Sequence, residues 1–364
     1  MANRITTVEL FAGIGGFRLA ADRLGFATRW ANDLCPKACA VYRARFGDAD
    51  LRAGDLRELL DEVPPHDLLT GGLPCQPFSS AGKKRGIRDS RGTLFEAIVH
   101  VLRAQRPRWF VLENVKRLLS MERGDHFATI LAALADLDYR IEWRLLNAVD
   151  FGLPQNRQRV FLAGTRRDAA HDESALQARG QRPVGYPARP HEWRAIRNHG
   201  ARFPTWGIAE DGRFFGTNPP RSAVINGTSP PKLRDVLERE VDPMFDFTAA
   251  TQARLRDNRL VEKFVEGVRI VSNQNGGARM GYTIFGIDGV APTLTATPSR
   301  HYERYRIDGR YRRLTNVEYA RLQGFPDDHC AAASIYDQYG LYGNAVPPPM
   351  AEWVMGRIVD VDSG

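Results

Sequence analysis

The sequence predicts an α/β fold: a mostly parallel sheet with helices on both faces, joined by a smaller, irregular domain. Three observations predict it. Over residues 1–165 short apolar runs alternate with segments of helical periodicity. The chemically distinctive residues of that stretch fall at or just past predicted strand ends, where the carboxyl edge of a parallel sheet binds ligands. From about residue 166 to 231 the chain turns rich in Pro, Gly and Arg, and the periodicity fades.

The elements follow in order. Residues 6–11 form a short apolar strand, ended by the glycines of AGIGG, and residues 17–24 a helix. Residues 26–31 are a second strand, followed by a helix over about 36–46. A possible third strand precedes AGD, and residues 67–70 are a short buried strand. Phe95, Ile98, Val99 and Leu102 fall at i, i+3, i+4 and i+7, the stripe of an amphipathic helix. Residues 109–112 are a strand, Phe127, Ile130, Leu131 and Leu134 repeat the helical spacing, and 140–146 and 160–163 read as further strands. Helical pattern returns at 248–265 and 315–323. No internal repeat appears.

Composition narrows the class. A chain of 364 residues, 43% hydrophobic and 26% charged, can bury a large domain and a smaller one. It has no apolar run long enough to predict a transmembrane helix. The start, MANRITTVEL, lacks a signal-peptide core and reads as the approach to the first strand. Four cysteines make no disulfide framework. Cys35 and Cys39 suit a packed helical face better than a zinc site. A reducing, cytoplasmic setting is expected, with no metal and no membrane. The net charge of +8 suits a polyanionic partner without requiring one. Around residues 300–313 arginines, Arg300 among them, alternate with Tyr302, Tyr305 and Tyr311. That pattern fits either nucleic-acid contact or a solvated hairpin.

Two constellations carry chemistry. The first is VELFAGIGGFRLA, which reads as strand, glycine turn, helix. Phe11, Ala12, Gly13, Gly15 and Gly16 would let backbone approach a ligand beside a helix N-terminus, or form a tight structural turn. The third glycine of the dinucleotide fingerprint is missing. Asp33, seventeen residues past Gly16, is placed to hold ribose hydroxyls. Asp55 could accept from an adenine amino group or cap the helix before LRELL. A nucleoside without pyrophosphate, such as S-adenosylmethionine, needs no phosphate clamp. The second constellation is GGLPCQPFSSAGKKRG with WFVLENV. Cys75 sits in a Gly-, Pro- and Ser-rich loop near Lys83, Lys84 and Arg85, a setting that favours a thiolate over core packing. Glu113 ends a buried strand, where a carboxylate is costly unless it has a task or an ion-pair partner.

These residues resemble the cytosine-C5 DNA methyltransferases of bacterial restriction–modification systems, with the motifs in the family's order. ELFAGIGGFRLA is similar to the cofactor motif, GGLPCQPFSSAGKKRG to the Pro-Cys-Gln nucleophile motif, and ENV to the acidic motif. QNRQR is similar to the Gln-x-Arg-x-Arg motif, RRLTNVEYARLQGFPD to a late structural motif and YGLYGNAVPPPMAEWV to the last motif. The likeness covers about 1–165 and 290–364. It implies an S-adenosylmethionine-dependent, Rossmann-like catalytic domain over 1–165, a target-recognition domain over 166–325, and a segment 326–364 returning to the catalytic domain.

The resemblance also implies roles. Phe11, Asp33, Asp55 and Pro74 would contact the cofactor with the flanking Ala12, Gly13, Gly15, Gly16, Leu34 and Leu56, and Asn344 with Ala345 would close the pocket. Cys75 would attack cytosine C6 and Glu113 would hold and protonate N3. Arg159 and Arg157 would contact the O2 side, with Gln155 in support. Gly71, Gly82 and Gly86 would be hinges of a catalytic loop. Duplex DNA would be met by Gln76, Ser79, Lys83, Arg91, Thr293, Leu294 and Arg300, while Asn273, Gln274, Asn275 and Arg279, in the polar, Gly-rich stretch before Thr293, fit either base reading or an ordinary surface loop. The target base would be flipped from the stack. The expected product is S-adenosylhomocysteine, the expected state a monomer, and a cognate endonuclease would act independently. Leu34 stands where the family often has an aromatic, and GNAV where it often has GNSV. Three rivals compete. A tRNA-cytosine enzyme of the same family would carry Cys-Phe-Thr, absent here. A silent nucleic-acid-binding relative need not keep Cys75, Glu113 and Arg159 together. A nicotinamide oxidoreductase would need the full glycine fingerprint.

Overall fold

The computed structural model describes residues 4–72, 93–169, 175–176, 192–219, 231–256, 258–273, 283–295 and 303–360. The chain forms two compact units, one of Met1–Leu146, Gln158–Ser222 and Pro348–Gly364, the other of Asn147–Arg157 and Ala223–Pro347. These bounds differ from the division by role expected at 165/166 and 325/326. Residues 158–222 belong to the first unit, and only the last helix and its tail return to it.

The first unit opens with β1 (Thr6–Leu10), α1 (Gly16–Arg23), β2 (Ala27–Asp33), α2 (Pro36–Phe46), β3 (Leu51–Ala53) and β4 (Leu68–Gly72). It continues with α3 (Leu94–Gln105), β5 (Trp109–Val115), α4 (Asp125–Ala135), β6 (Tyr139–Asn147) and β7 (Gln158–Arg166). Strands β3-β2-β1-β4-β5 lie side by side in parallel, and β7 pairs with β5 in antiparallel sense. The expected α/β sheet is therefore present, as a mixed sheet. Its strand order reverses between β1 and β4, which is where such folds bind ligands. The buried stripes of the helices hold it together. Ile98 and Leu102 of α3 and Leu131 and Leu134 of α4 join Leu10, Phe110 and Leu112 of the strands in one core. Thr93 starts α3 with a capping box closed by Glu96.

The segment expected to be irregular extends this sheet. β8 (Arg194–Ala195), β9 (Trp206–Glu210) and β10 (Arg213–Thr217) continue it beyond β6. The β9–β10 turn is Asp211-Gly212, both at positive φ (47° and 69°), the backbone a two-residue hairpin demands. Gly207 and Gly216 lie opposite each other, and a Cβ on Gly207 would meet the Trp143 ring at 2.2 Å. The missing side chains make room for that indole.

The second unit holds α5 (Ala249–Arg256), β11 (Arg259–Val265), β12 (Val268–Asn273), β13 (Thr283–Phe285), β14 (Arg304–Ile307), β15 (Arg310–Arg312), α6 (Asn316–Gln323) and α7 (Ile335–Asn344). Its sheet runs β11-β12-β13-β14-β15. The helix expected over 248–265 ends at Arg256, and 259–265 is a strand. Glu266-Gly267, at φ 48° and 80°, turns β11 back onto β12 as a hairpin. A buried pair between Arg312 and Glu318 (2.7 Å) ties the sheet to α6, whose Thr315 cap is closed by the same Glu318. α8 (Pro348–Asp360) then rejoins the first unit, where Arg23 of α1 meets Glu352 at 3.3 Å. Among the described residues no helix is long and apolar enough to cross a membrane.

Candidate active site

The carboxyl ends of β1 and β2 shape a concave turn. After Leu10 the chain takes positive φ at Phe11 (53°), Gly13 (56°) and Gly15 (82°). Ala12 donates its N–H to the Asn32 carbonyl (2.8 Å), and Gly15 donates to the Ala12 carbonyl (2.9 Å). Gly15 admits no side chain, because a Cβ would lie 2.3 Å from the Phe46 ring. At Gly13 no atom lies within 4 Å of where a Cβ would be, so the backbone faces open space. Gly16 begins α1 and is buried.

Asp33 locks this turn to the end of β2. Its Oδ2 accepts from Gly13 N–H and its Oδ1 from Cys35 N–H, both at 2.7 Å. Burial pushes its carboxyl pKa up, and the N–H groups of Cys35 and Gly13 pull it back. Beside it Leu34 is 65% exposed, an uncovered apolar side chain at a strand end. Phe11 is half-buried. An open glycine, a held carboxylate and a bare apolar side chain fit the S-adenosylmethionine that the resemblance implies. Asp55 adopts the capping alternative: it accepts from Arg57 N–H at 3.0 Å and pairs with the Arg57 guanidinium, which holds its pKa below the usual range. Leu56 is buried in the core, which leaves only its backbone for a ligand.

The candidate catalytic edge lies at the ends of β4 and β5. Glu113 Oε1 receives Arg159 Nε at 2.8 Å, with both side chains only 11% exposed. The register explains the meeting. Glu113 stands opposite Phe161 and Val115 opposite Arg159, so Glu113 and Arg159 are a diagonal pair on one face of the sheet. On the other side Glu113 pairs with Gly72, the last residue of β4. Cys75 follows three residues later in sequence. Cys75, Pro74, Gln76, Ser79, Gly82, Lys83, Gly86 and Arg91 lie outside the described residues, as do Gln274, Asn275, Arg279 and Arg300.

The remaining expected residues lie in the second unit. Arg157, 1% exposed, gives its NH1 to the Leu294 carbonyl and its NH2 to the carbonyls of Gly343 and Ala345, at 2.9–3.0 Å. That is the arrangement of a brace. Gln155 is a second brace, donating to the Leu322 carbonyl at 3.0 Å and accepting from Leu294 N–H at 3.1 Å. Thr293 donates to the Asn156 carbonyl at 2.6 Å, and Leu294 is buried. Asn344 ends α7 with an exposed side chain, while Ala345 is buried. Asn273 ends β12 and accepts from the Thr283 hydroxyl at 2.9 Å.

Sequence reading missed one residue beneath the glycine turn. Glu9 in β1 is 2% exposed, with the Tyr42 hydroxyl donating to it at 3.4 Å. Burial pushes its pKa up to about 8 against the opposing charge of Arg18. The signal was available: a carboxylate inside the apolar run VELF.

A family model for C-5 cytosine-specific DNA methylase matches residues 5–360. The chain is 31% identical over 360 residues to the Type II methyltransferase M1.ScrFI of Lactococcus lactis subsp. cremoris, covering 97% of this chain and 78% of that one. It is 31% identical over 350 residues to the Type II methyltransferase M.NgoBI of Neisseria gonorrhoeae, covering 95% and 90%. Among solved structures, the S. pombe Dnmt2 methyltransferase aligns with a TM-score of 0.67 at 18% identity, over 98% of this chain and 99% of that one. The Entamoeba histolytica methyltransferase EhMeth aligns at 0.63 and 15%, over 99% of both. At those identities the structures share the fold. The resemblance read from the motifs is borne out: this chain belongs to the C-5 cytosine-specific DNA methylases, the DNA cytosine-5-methyltransferases.

Proposed function

We propose that this enzyme methylates C5 of a flipped cytosine within a specific duplex sequence, through a covalent bond between Cys75 and C6. The observation that carries the reading is the Glu113–Arg159 pair on β5 and β7, directly beside the end of β4 from which the chain runs to Cys75. Cytosine C5 is too weak a nucleophile to react unaided. Addition of the Cys75 thiolate to C6 forms an S–C6 bond and moves electron density to C5 and N3. Glu113 meets that charge with a hydrogen bond or proton at N3. Arg159 fixes one Glu113 oxygen, so the carboxyl is oriented before the base arrives. S-adenosylmethionine, when bound, supplies an electrophilic methyl group. Once C5 carries the methyl, loss of the C5 proton to solvent, return of the N3 proton to Glu113 and departure of the Cys75 thiolate restore the aromatic ring.

Phe11, Gly13, Asp33 and Leu34 would receive the cofactor, with Pro74 as a further contact. The second unit would read the sequence, mainly in the major groove. Asn273 pairs with Thr283 across β12 and β13, and the connection between them carries the candidates Gln274, Asn275 and Arg279. The Type II names of the relatives favour a restriction–modification setting with an independent cognate endonuclease. A monomer acting on DNA in the cytoplasm completes the proposal.

The test is methylation of random-sequence duplex DNA with labelled cofactor, mapped at each cytosine, for wild type, Cys75→Ala and Glu113→Gln. Label at C5, lost by more than 10³-fold in Cys75→Ala and strongly reduced in Glu113→Gln, is expected. Label on N4 or on adenine, activity confined to tRNA, or a fully active Cys75→Ala variant would overturn it.

A further inference from the structure

Asn156 joins four segments of the second unit, one through each of its polar groups. Its N–H donates to the Ala291 carbonyl at 2.8 Å, and its carbonyl accepts from the Thr293 hydroxyl at 2.6 Å. Its side-chain Oδ1 accepts from Asn147 Nδ2 at 2.7 Å, and its Nδ2 donates to Glu266 Oε2 at 2.9 Å. Asn147 ends β6, and Glu266 opens the turn between β11 and β12. All these residues belong to that one unit. Within QNRQR, Asn156 is the first open position of Gln-x-Arg-x-Arg, to which the motif gives no role.

The side-chain bonds form a relay with a fixed direction. Asn147 Oδ1 accepts from the N–H groups of Arg157 (3.0 Å) and Val149 (3.4 Å). A backbone N–H only donates, so that end of Asn147 is oxygen and its amide nitrogen turns to Asn156. A carboxylate only accepts, so the amide nitrogen of Asn156 faces Glu266. The order Arg157 N–H, Asn147, Asn156, Glu266 therefore runs one way, and each bond polarises the next. One end of the relay is main chain that leads through Gln158 into β7, where Arg159 holds Glu113. The other end is the hairpin turn, from which β12 runs to Asn273 and the connection carrying Gln274, Asn275 and Arg279.

Glu266 is a costly residue for its turn. At φ 48° it is left-handed, a conformation that a two-residue hairpin gives to Asn, Asp or Gly. The β9–β10 turn of the same chain follows that rule with Asp211-Gly212. The Glu266 side chain is exposed, and Asn156 is its one hydrogen-bond partner among the described residues. Folding of the hairpin alone is better served by a shorter residue. The longer side chain has the reach to Asn156. A strained backbone kept for a single exposed bond points to a use for that bond.

We propose that Asn156 is a positioning residue that couples sequence reading to catalysis, with Glu266 on the reading side and Asn147 and Arg157 on the side of β7. The proposal rests on the second unit being the part that reads DNA. Base contacts then hold the hairpin, the relay holds the chain entering β7, and the correct sequence favours an aligned Glu113–Arg159 pair. The test is steady-state methylation of the mapped target duplex, and of one with a single base pair changed, by wild type, Asn156→Asp and Asn156→Asp/Glu266→Gln. Asn156→Asp keeps the acceptor for Asn147 but sets a carboxylate against Glu266. It should lower kcat on the target duplex about tenfold, the value of one charge-assisted hydrogen bond. Discrimination between the two duplexes should shrink with it, while the KM for S-adenosylmethionine stays unchanged. In the double variant the introduced amide donates to the introduced carboxylate, and kcat and discrimination should return to within about threefold of wild type. A merely structural role would lower the melting temperature and leave discrimination as it is. Should Asn156→Asp fail to fold, Glu266→Ala serves instead, with the same losses expected, since that side chain is exposed. Wild-type kcat and discrimination in the single variant, or a double variant no better than the single, would overturn the proposal. A wild type that methylates with no sequence preference would overturn both the proposal and the reading role of the second unit.

Discussion

At the scale of single residues, Glu9 shows how burial rewrites chemistry. In the folded chain its carboxyl holds a proton up to about 8, whereas the unfolded chain releases it near the ordinary value of 4.5. Between those values the folded state binds one more proton than the unfolded state. Stability from this group is therefore fully present below about 4.5 and is lost as pH rises through about 8. The slope approaches ~1.4 kcal/mol per pH unit. Glutamine has the shape of the neutral acid and no proton to lose. Glu9→Gln should match wild type near pH 5 and be the more stable of the two near pH 8.5, by urea denaturation at each pH. Parallel pH profiles for the two proteins would mean that Glu9 is already ionised in the folded state. A second residue-level prediction concerns Gly15, where both backbone and packing exclude a side chain. Gly15→Ala forces a left-handed L-residue, at roughly 1–2 kcal/mol, and drives a methyl into Phe46. Phe46 also lies under the Arg18 guanidinium (5.2 Å), so the strain reaches the first turn of α1. Thermal melts should show a loss of several degrees, with S-adenosylmethionine affinity falling in the same variant.

At the scale of elements, the hairpins separate what backbone needs from what packing needs. Gly212 has φ 69° and nothing within 4 Å of its Cβ position. Gly212→Ala should therefore cost only the backbone term, about 1 kcal/mol. Gly207→Ala, with Trp143 at 2.2 Å and the Phe215 carbonyl at 2.6 Å, should cost clearly more. Equal melting temperatures for the two variants would refute the distinction. These hairpins also mark where the sequence was legible. The parallel strands could be read because each is an apolar run flanked by helical periodicity. The β9–β10 hairpin carried its own signal in Asp211-Gly212, but the arginine-rich surroundings masked it. Residues 259–265 read as helix because Leu260, Val261, Phe264 and Val265 fit a helical stripe as well as a strand. Only pairing with Val268–Asn273, a tertiary fact, decides for the strand. The candidate site was legible in part. Glu113 was conspicuous as a carboxylate ending an apolar strand, but its distance of 46 positions from Arg159 hides the pair until the β5–β7 register is known.

For the whole molecule, the net charge of +8 bears on how the enzyme meets its substrate. Duplex DNA carries condensed counterions, which basic groups release on binding, so affinity falls linearly with salt on logarithmic axes. A footprint that neutralises about six phosphates should lose roughly 10³ in affinity between about 50 and 200 mM salt. The proposed cofactor site works in quite another way. Phe11, Gly13 and Leu34 offer backbone and apolar contact, and Asp33 is already paired with two N–H groups, so no comparable counterion release accompanies its binding. The apparent KM for duplex DNA should therefore climb steeply with salt while the Kd for S-adenosylmethionine stays nearly flat. Discrimination between cognate and random duplex should rise over the same range, because non-specific binding rests almost wholly on phosphates whereas base contacts add a salt-insensitive term. Methylation kinetics and cofactor titrations across one salt series measure all three quantities. If cofactor affinity tracked DNA affinity, both ligands would draw on one electrostatic surface, and the proposed contrast between a backbone-and-apolar cofactor turn and phosphate-neutralising DNA contacts would fail.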